Sequence, residues 1–160
     1  MRSATVHEIK DELVHRKPAE LIALCMRLAK FKKENKELLT YLLFEAHDEE
    51  SYIRGIKEQI LELFGTINQS HLYFAKKTLR KIVRVINTYS RYSGNKQTDM
   101  ELRIYFCEQL IESGIPFRQS PVISNLYDGQ VKKIVAVMAG LHEDLQHDYQ
   151  KAVNRLAGSR

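Results

Sequence analysis

Two clusters of residues have side chains of the kinds that carry chemistry. The first is His142-Glu143-Asp144-Leu145-Gln146-His147-Asp148, dense in groups that bind metals. Two helical histidines that share a metal stand at i and i+4, which places both imidazoles on one face. His142 and His147 are five apart, so at about 100° per residue they point some 140° away from each other. Glu143 and His147 have the correct spacing, but two ligands do not complete a site. The segment reads as a solvated helix face, and no metal or other cofactor is expected.

The second cluster is Glu45, His47, Asp48 and Glu49. Asp48 fits a helix N-cap, and Glu49 and Glu50 in the first turn suit the positive end of the helix dipole. Capping explains this cluster better than acid–base work does. The seven glycines are scattered, so there is no phosphate-cradling loop, and no nucleophile elbow is present. Cys25 and Cys107 each sit in an apolar helical pattern and read as buried, reduced thiols. No catalytic residue is assigned. An enzyme would need a pocket that holds His47 or His142 beside a carboxylate.

The strongest signal is charge segregation. Residues 63–98 contain no acidic side chain but carry Lys76, Lys77, Arg80, Lys81, Arg84, Arg91 and Lys96, in a chain whose net charge is +5. The first six fall within roughly 140° of arc on one helix face, and Leu72, Leu79, Ile82, Val83, Val85, Ile86 and Tyr89 take the other side. A surface that served solubility alone would mix signs, since opposite charges at i,i+4 support a helix and like charges oppose it. Lys76, Lys77, Arg80, Lys81, Arg84 and Arg91 are therefore the candidate binding residues, for nucleic-acid phosphates or for an acidic protein. Tyr73, Tyr92, Asn87 and Asn95 are placed to add stacking or hydrogen bonds. The competing reading is internal: the acidic stretch holding Glu45, Asp48, Glu49, Glu50, Glu58 and Glu62 covers the basic helix. No helix-turn-helix, zinc-finger or aromatic RNA-binding signature accompanies the stripe.

The elements that must position these residues are helices. Thr5 with Glu8, and Thr98 with Glu101, fit the capping box. Pro18 fits a first helical position, and Gly65, Gly94 and Gly114 each close an apolar run. Six to seven helices are predicted, over about 5–16, 19–31, 36–46, 49–64, 72–93 and 99–113, with a long one over 126–156 after an extended connection at 115–124. Leu38, Leu39, Leu42 and Leu43 suggest a buried third helix. Val131, Ile134, Val135, Met138, Leu141, Leu145, Tyr149, Val153 and Leu156 form one apolar stripe along the last. In the connection, Phe117 and Arg118 are its contact residues, if it is more than a connector fixed by Pro116 and Pro121. No strand pattern is convincing, 121–123 being the sole β-like candidate. The expectation is one all-α domain over 1–160, either an irregular antiparallel bundle or a short HEAT/armadillo-like stack of helical hairpins.

Residues 19–45 and 141–149 resemble an uncharacterised family of small bacterial all-helical proteins, and that resemblance implies no activity. In fold alone, a hairpin stack with a basic helix is similar to the HEAT-like DNA glycosylases of the alkylation-repair type. No residue matches that group's catalytic acid or aromatic pocket, so no site follows from it.

The polar start of the chain lacks a signal-peptide pattern, and no apolar run approaches the ~20 residues that span a bilayer. With unpaired cysteines, a cytoplasmic address and no membrane partner are expected. The composite reading is a non-enzymatic binding module that uses the basic helix to contact nucleic acid, with docking of an acidic protein as the alternative. A homodimer through the C-terminal helix is a further expectation.

Overall fold

The computed structural model describes residues 2–68 and 70–158. Among them are eight α-helices and no strand, so the chain is all-α as its periodicity implies. None of these helices is long and apolar enough to cross a membrane. The chain forms two compact units, Met1–Phe44 and Glu45–Arg160.

The first unit holds α1 (Val6–Val14), α2 (Pro18–Phe31) and α3 (Lys33–Thr40), followed by a π turn at Tyr41–Glu45. The capping box that opens α1 is formed: the Glu8 carboxylate accepts from the Thr5 backbone N–H at 2.6 Å, and the Glu8 N–H donates to the Thr5 hydroxyl. The Thr5 N–H and, at 2.8 Å, the Thr5 hydroxyl both donate to the Glu8 carboxylate and hold it below its usual range. Pro18 opens α2, where its missing N–H costs nothing. The burial expected here is absent. No residue of α1, α2 or α3 is buried, and Leu42, Leu43 and Phe44 are exposed. Cys25, expected inside, is exposed too.

The second unit holds α4 (Glu49–Gly65), α5 (Leu72–Ser93), α6 (Lys96–Glu112), α7 (Pro121–Met138) and α8 (Glu143–Gly158). Helix α6 is its centre and packs on α4, α5, α7 and α8. Its sequence shows why: Met100, Leu102, Phe106, Cys107 and Leu110 are fully buried and spread around the helix, the pattern of an interior element. Ile60, Leu79, Ile86, Ile123, Ile134 and Leu156 complete the core from the surrounding helices. The Tyr127 hydroxyl, buried with its ring, donates to the Leu156 carbonyl at 2.9 Å and ties α7 to α8.

One charge lies inside. Arg103 is 5 % exposed. Its Nε and Nη2 donate to the two oxygens of Asp99 at 2.9 and 2.7 Å, Nη1 to Gln130 at 2.5 Å, and Nη2 also to Asn87 at 2.9 Å. A buried guanidinium is tolerable when its donors are spent in this way.

Four local expectations are corrected. The long helix over 126–156 is two, because the chain turns at Ala139–Leu141 and α8 folds back on α7. Ile134, Val153 and Leu156 of its apolar stripe are buried within the chain, while Val135 stays 44 % exposed. Residues 115–124 are not extended: a 3-10 turn at Phe117–Gln119 leads into α7, which starts at Pro121 and takes in the β-like 121–123. Thr98 does not cap a helix. Asn95 caps α6 by accepting from the Gln97 N–H at 2.9 Å, and Thr98 lies buried inside it. Gly65 ends α4 as expected, while Gly94 and Gly114 take the left-handed φ of 66° and 70° that ends a helix cleanly.

Candidate nucleic-acid interface

Helix α5 exists because apolar residues recur along one side and Gly94 stops it. Ala75, Leu79, Ile82, Val83 and Ile86 are buried against α4, α6 and α7. The opposite side is the basic stripe. Lys77, Arg80, Lys81, Arg84 and Arg91 are exposed, and Lys76 is partly so. Among the described residues none of the six makes an ion pair.

The acidic stretch does not cover it. Helix α4 packs on α5, but Glu58 and Glu62 are exposed. Asp48 caps α4 by accepting from the Ser51 N–H at 3.0 Å, and the Ser51 hydroxyl and N–H together hold its carboxyl below the usual range. Glu49 accepts from the hydroxyls of Ser93 and Thr98. Glu45 and Glu50 are exposed as well, and the cations of the stripe stay exposed beside this stretch.

At about 100° per residue, Tyr73, Lys77, Arg80, Arg84 and Arg91 fall within some 60° of arc and make one row about 27 Å long. Tyr73 is 68 % exposed and its neighbour Phe74 50 %. The Lys76 ammonium sits 4.6 Å from the centre of the Tyr73 ring. An exposed aromatic in line with unpaired cations is the combination that single strands use, with phosphates on the charges and a base on the ring. The first turn of α5 has no acidic residue and no side-chain cap, so the positive end of its dipole adds to the same potential.

The other residues expected to help are occupied. Tyr92 is buried, Asn87 accepts from Arg103, and Asn95 caps α6. Arg118 lies over the rings of Phe117 and Tyr127 at 4.9 and 4.8 Å and pairs with Asp128 at 2.9 Å, so it fastens the connector to α7. Phe74 lies at about 160° from Lys76 on the same wheel, at the edge of the basic arc, and is the second exposed ring there.

A groove between α4 and α6 is lined by Glu49, Lys57, Thr98 and Glu101, without His47 or His142. Glu101 there accepts from the Tyr149 hydroxyl at 2.5 Å and faces Lys57 at 3.6 Å. No group of three metal-binding side chains occurs among the described residues. Burial pushes the Cys107 thiol up to about 12, so it stays protonated and inert. Set against known protein families, curated proteins and solved structures, the chain matches none.

Proposed function

We propose that the chain binds nucleic acid through α5, with Lys77, Arg80, Arg84 and Arg91 contacting phosphates and Tyr73 offering a stacking surface. Lys76 and Lys81 flank the row and extend the positive field. The observation that carries this reading is the row itself: exposed cations without carboxylate partners, aligned with an exposed tyrosine. Single strands suit it better than duplex, because a stacked base must be unpaired. Contacts of this kind position a backbone and carry little base sequence, so binding is expected to be unspecific.

The test is fluorescence anisotropy with single- and double-stranded oligonucleotides over a salt series. Four phosphate contacts imply a log–log salt slope near −3 for a single strand, or about a 50-fold loss from 50 to 200 mM salt. The Lys77→Glu, Arg80→Glu, Arg84→Glu variant is expected to bind at least about 100-fold more weakly at 50 mM salt with unchanged helicity. Absence of binding at low salt, or a variant equal to wild type, removes this reading. An acidic protein surface is then the remaining partner for the stripe.

A further inference from the structure

Where α5 ends and α6 begins, an open cavity of about 460 Å³ is lined by Ser90, Arg91, Asn95, Lys96, Asp99 and Arg103. Arg91 is also the last cation of the exposed row on α5, so the row runs into this cavity. Neither Arg91 nor Lys96 makes an ion pair among the described residues. Asp99 is the one carboxylate in the lining, and its two oxygens hold Arg103 at 2.7 and 2.9 Å. Those two charges cancel, and Arg91 and Lys96 leave the cavity with two positive charges. Glu49 and Glu101 line the separate groove between α4 and α6.

A second observation does not depend on charge. Ser90 is 9 % exposed, and its hydroxyl is buried without a hydrogen-bond partner among the described residues. Buried hydroxyls of native proteins are nearly always bonded, and this one belongs to a residue of the cavity wall. Asn95 spends its Oδ1 on the Gln97 N–H, which leaves its amide hydrogens as donors. The wall therefore offers hydroxyl, amide, guanidinium and ammonium donors, and its single carboxylate is already taken. A phosphodiester inside a strand carries one negative charge. A terminal phosphate carries close to two, with three strong acceptor oxygens, and is the better match.

We infer that this cavity takes the terminal phosphate of a single strand whose backbone lies along α5, so that the protein prefers strands with a phosphorylated end. The inference rests on the nucleic-acid reading of that helix. Arg91 and Lys96 meet the charge of the phosphate, while Ser90 and Asn95 donate to its oxygens.

The test is anisotropy on the full chain with one internally labelled oligonucleotide in three forms: 5′-phosphorylated, 3′-phosphorylated, and with a hydroxyl at both ends. One phosphorylated form is expected to bind at least about tenfold more tightly than the hydroxyl form, the effect of one charge-assisted hydrogen bond or more. Which form it is gives the polarity of the strand along α5. Lys96→Gln and Ser90→Ala are each expected to reduce that preference severalfold, and Ser90→Ala does so without changing any charge. Lys81→Gln removes a cation of the same helix outside the cavity, so it is expected to weaken all three forms alike and keep the preference. Equal binding of the three forms overturns the inference and leaves the row on α5 standing. A preference that survives Lys96→Gln or Ser90→Ala overturns it too, since the phosphate then sits elsewhere on the basic surface. Failure of every form to bind overturns both readings.

Discussion

Asp99→Asn is the most informative perturbation of the fold that carries the stripe. The change keeps the size of the side chain and removes the charge that two Arg103 donors reach at 2.7 and 2.9 Å. Arg103 is left with the neutral acceptors Gln130 and Asn87. Breaking a buried pair by removing one partner costs about 3–5 kcal/mol. The Asp99 side chain is 21 % exposed and that of Arg103 6 %, so partial hydration of the site brings the figure to the low end, about 3 kcal/mol. For a domain of this size that corresponds to a fall in Tm of roughly 10 °C. Urea unfolding followed by circular dichroism gives the free energy directly. The double variant Asp99→Asn, Arg103→Met is expected to lose less than the two single losses added, because the second change removes the uncompensated charge. A loss below about 1 kcal/mol for Asp99→Asn, or strict additivity, refutes the view that Asp99 compensates a buried cation.

Other outcomes follow from the same structure. Gly94→Ala places a side chain at φ 66° and is expected to cost about 1 kcal/mol in thermal unfolding without changing the core. In the native protein a thiol reagent is expected to modify Cys25 readily and Cys107 only on unfolding, as their exposure dictates. Cys107 is held up to about 12, chiefly by burial, and so is Tyr149, which also donates to Glu101. Both groups ionise more easily in the unfolded chain. Stability is therefore full below about pH 9 and falls as pH rises towards 12, which urea titrations at pH 8 and 10.5 will show. Tyr73→Ala is expected to weaken single-strand binding by about 1–3 kcal/mol while Tyr73→Phe keeps it, in the anisotropy assay.

The sequence reveals local geometry well where one signal stands alone. Helix α5 runs over Leu72–Ser93 as its periodicity implies, because Gly94 takes the left-handed φ that ends it at no steric cost. Thr98 misleads because two capping signals lie three residues apart. Asn95 takes the cap, and Glu49, distant in sequence, claims the Thr98 hydroxyl. The turn at Ala139–Leu141 is hidden for another reason. Met138, Leu141 and Leu145 keep steps of three and four across it, and periodicity records phase but not direction. Arg103 is invisible as a buried charge, since Asp99 and Arg103 at i,i+4 look the same as a surface pair. Exposure is the least readable property. The same apolar spacing puts Leu79 in the core and leaves Leu28 and Phe31 in solvent.

The charge sorting along residues 63–98 was readable, but its meaning depended on where the carboxylates of α4 point. Glu49 accepts from Ser93 and Thr98, and the row from Tyr73 to Arg91 stands exposed along α5. Photocrosslinking to a bromouridine-containing single strand, with peptide mapping of the adducts, tests this row most directly. Adducts at Tyr73 or elsewhere on the exposed side of α5, lost in the Lys77→Glu, Arg80→Glu, Arg84→Glu variant, are expected. Adducts confined to other helices, or undiminished in that variant, contradict a nucleic-acid interface on α5.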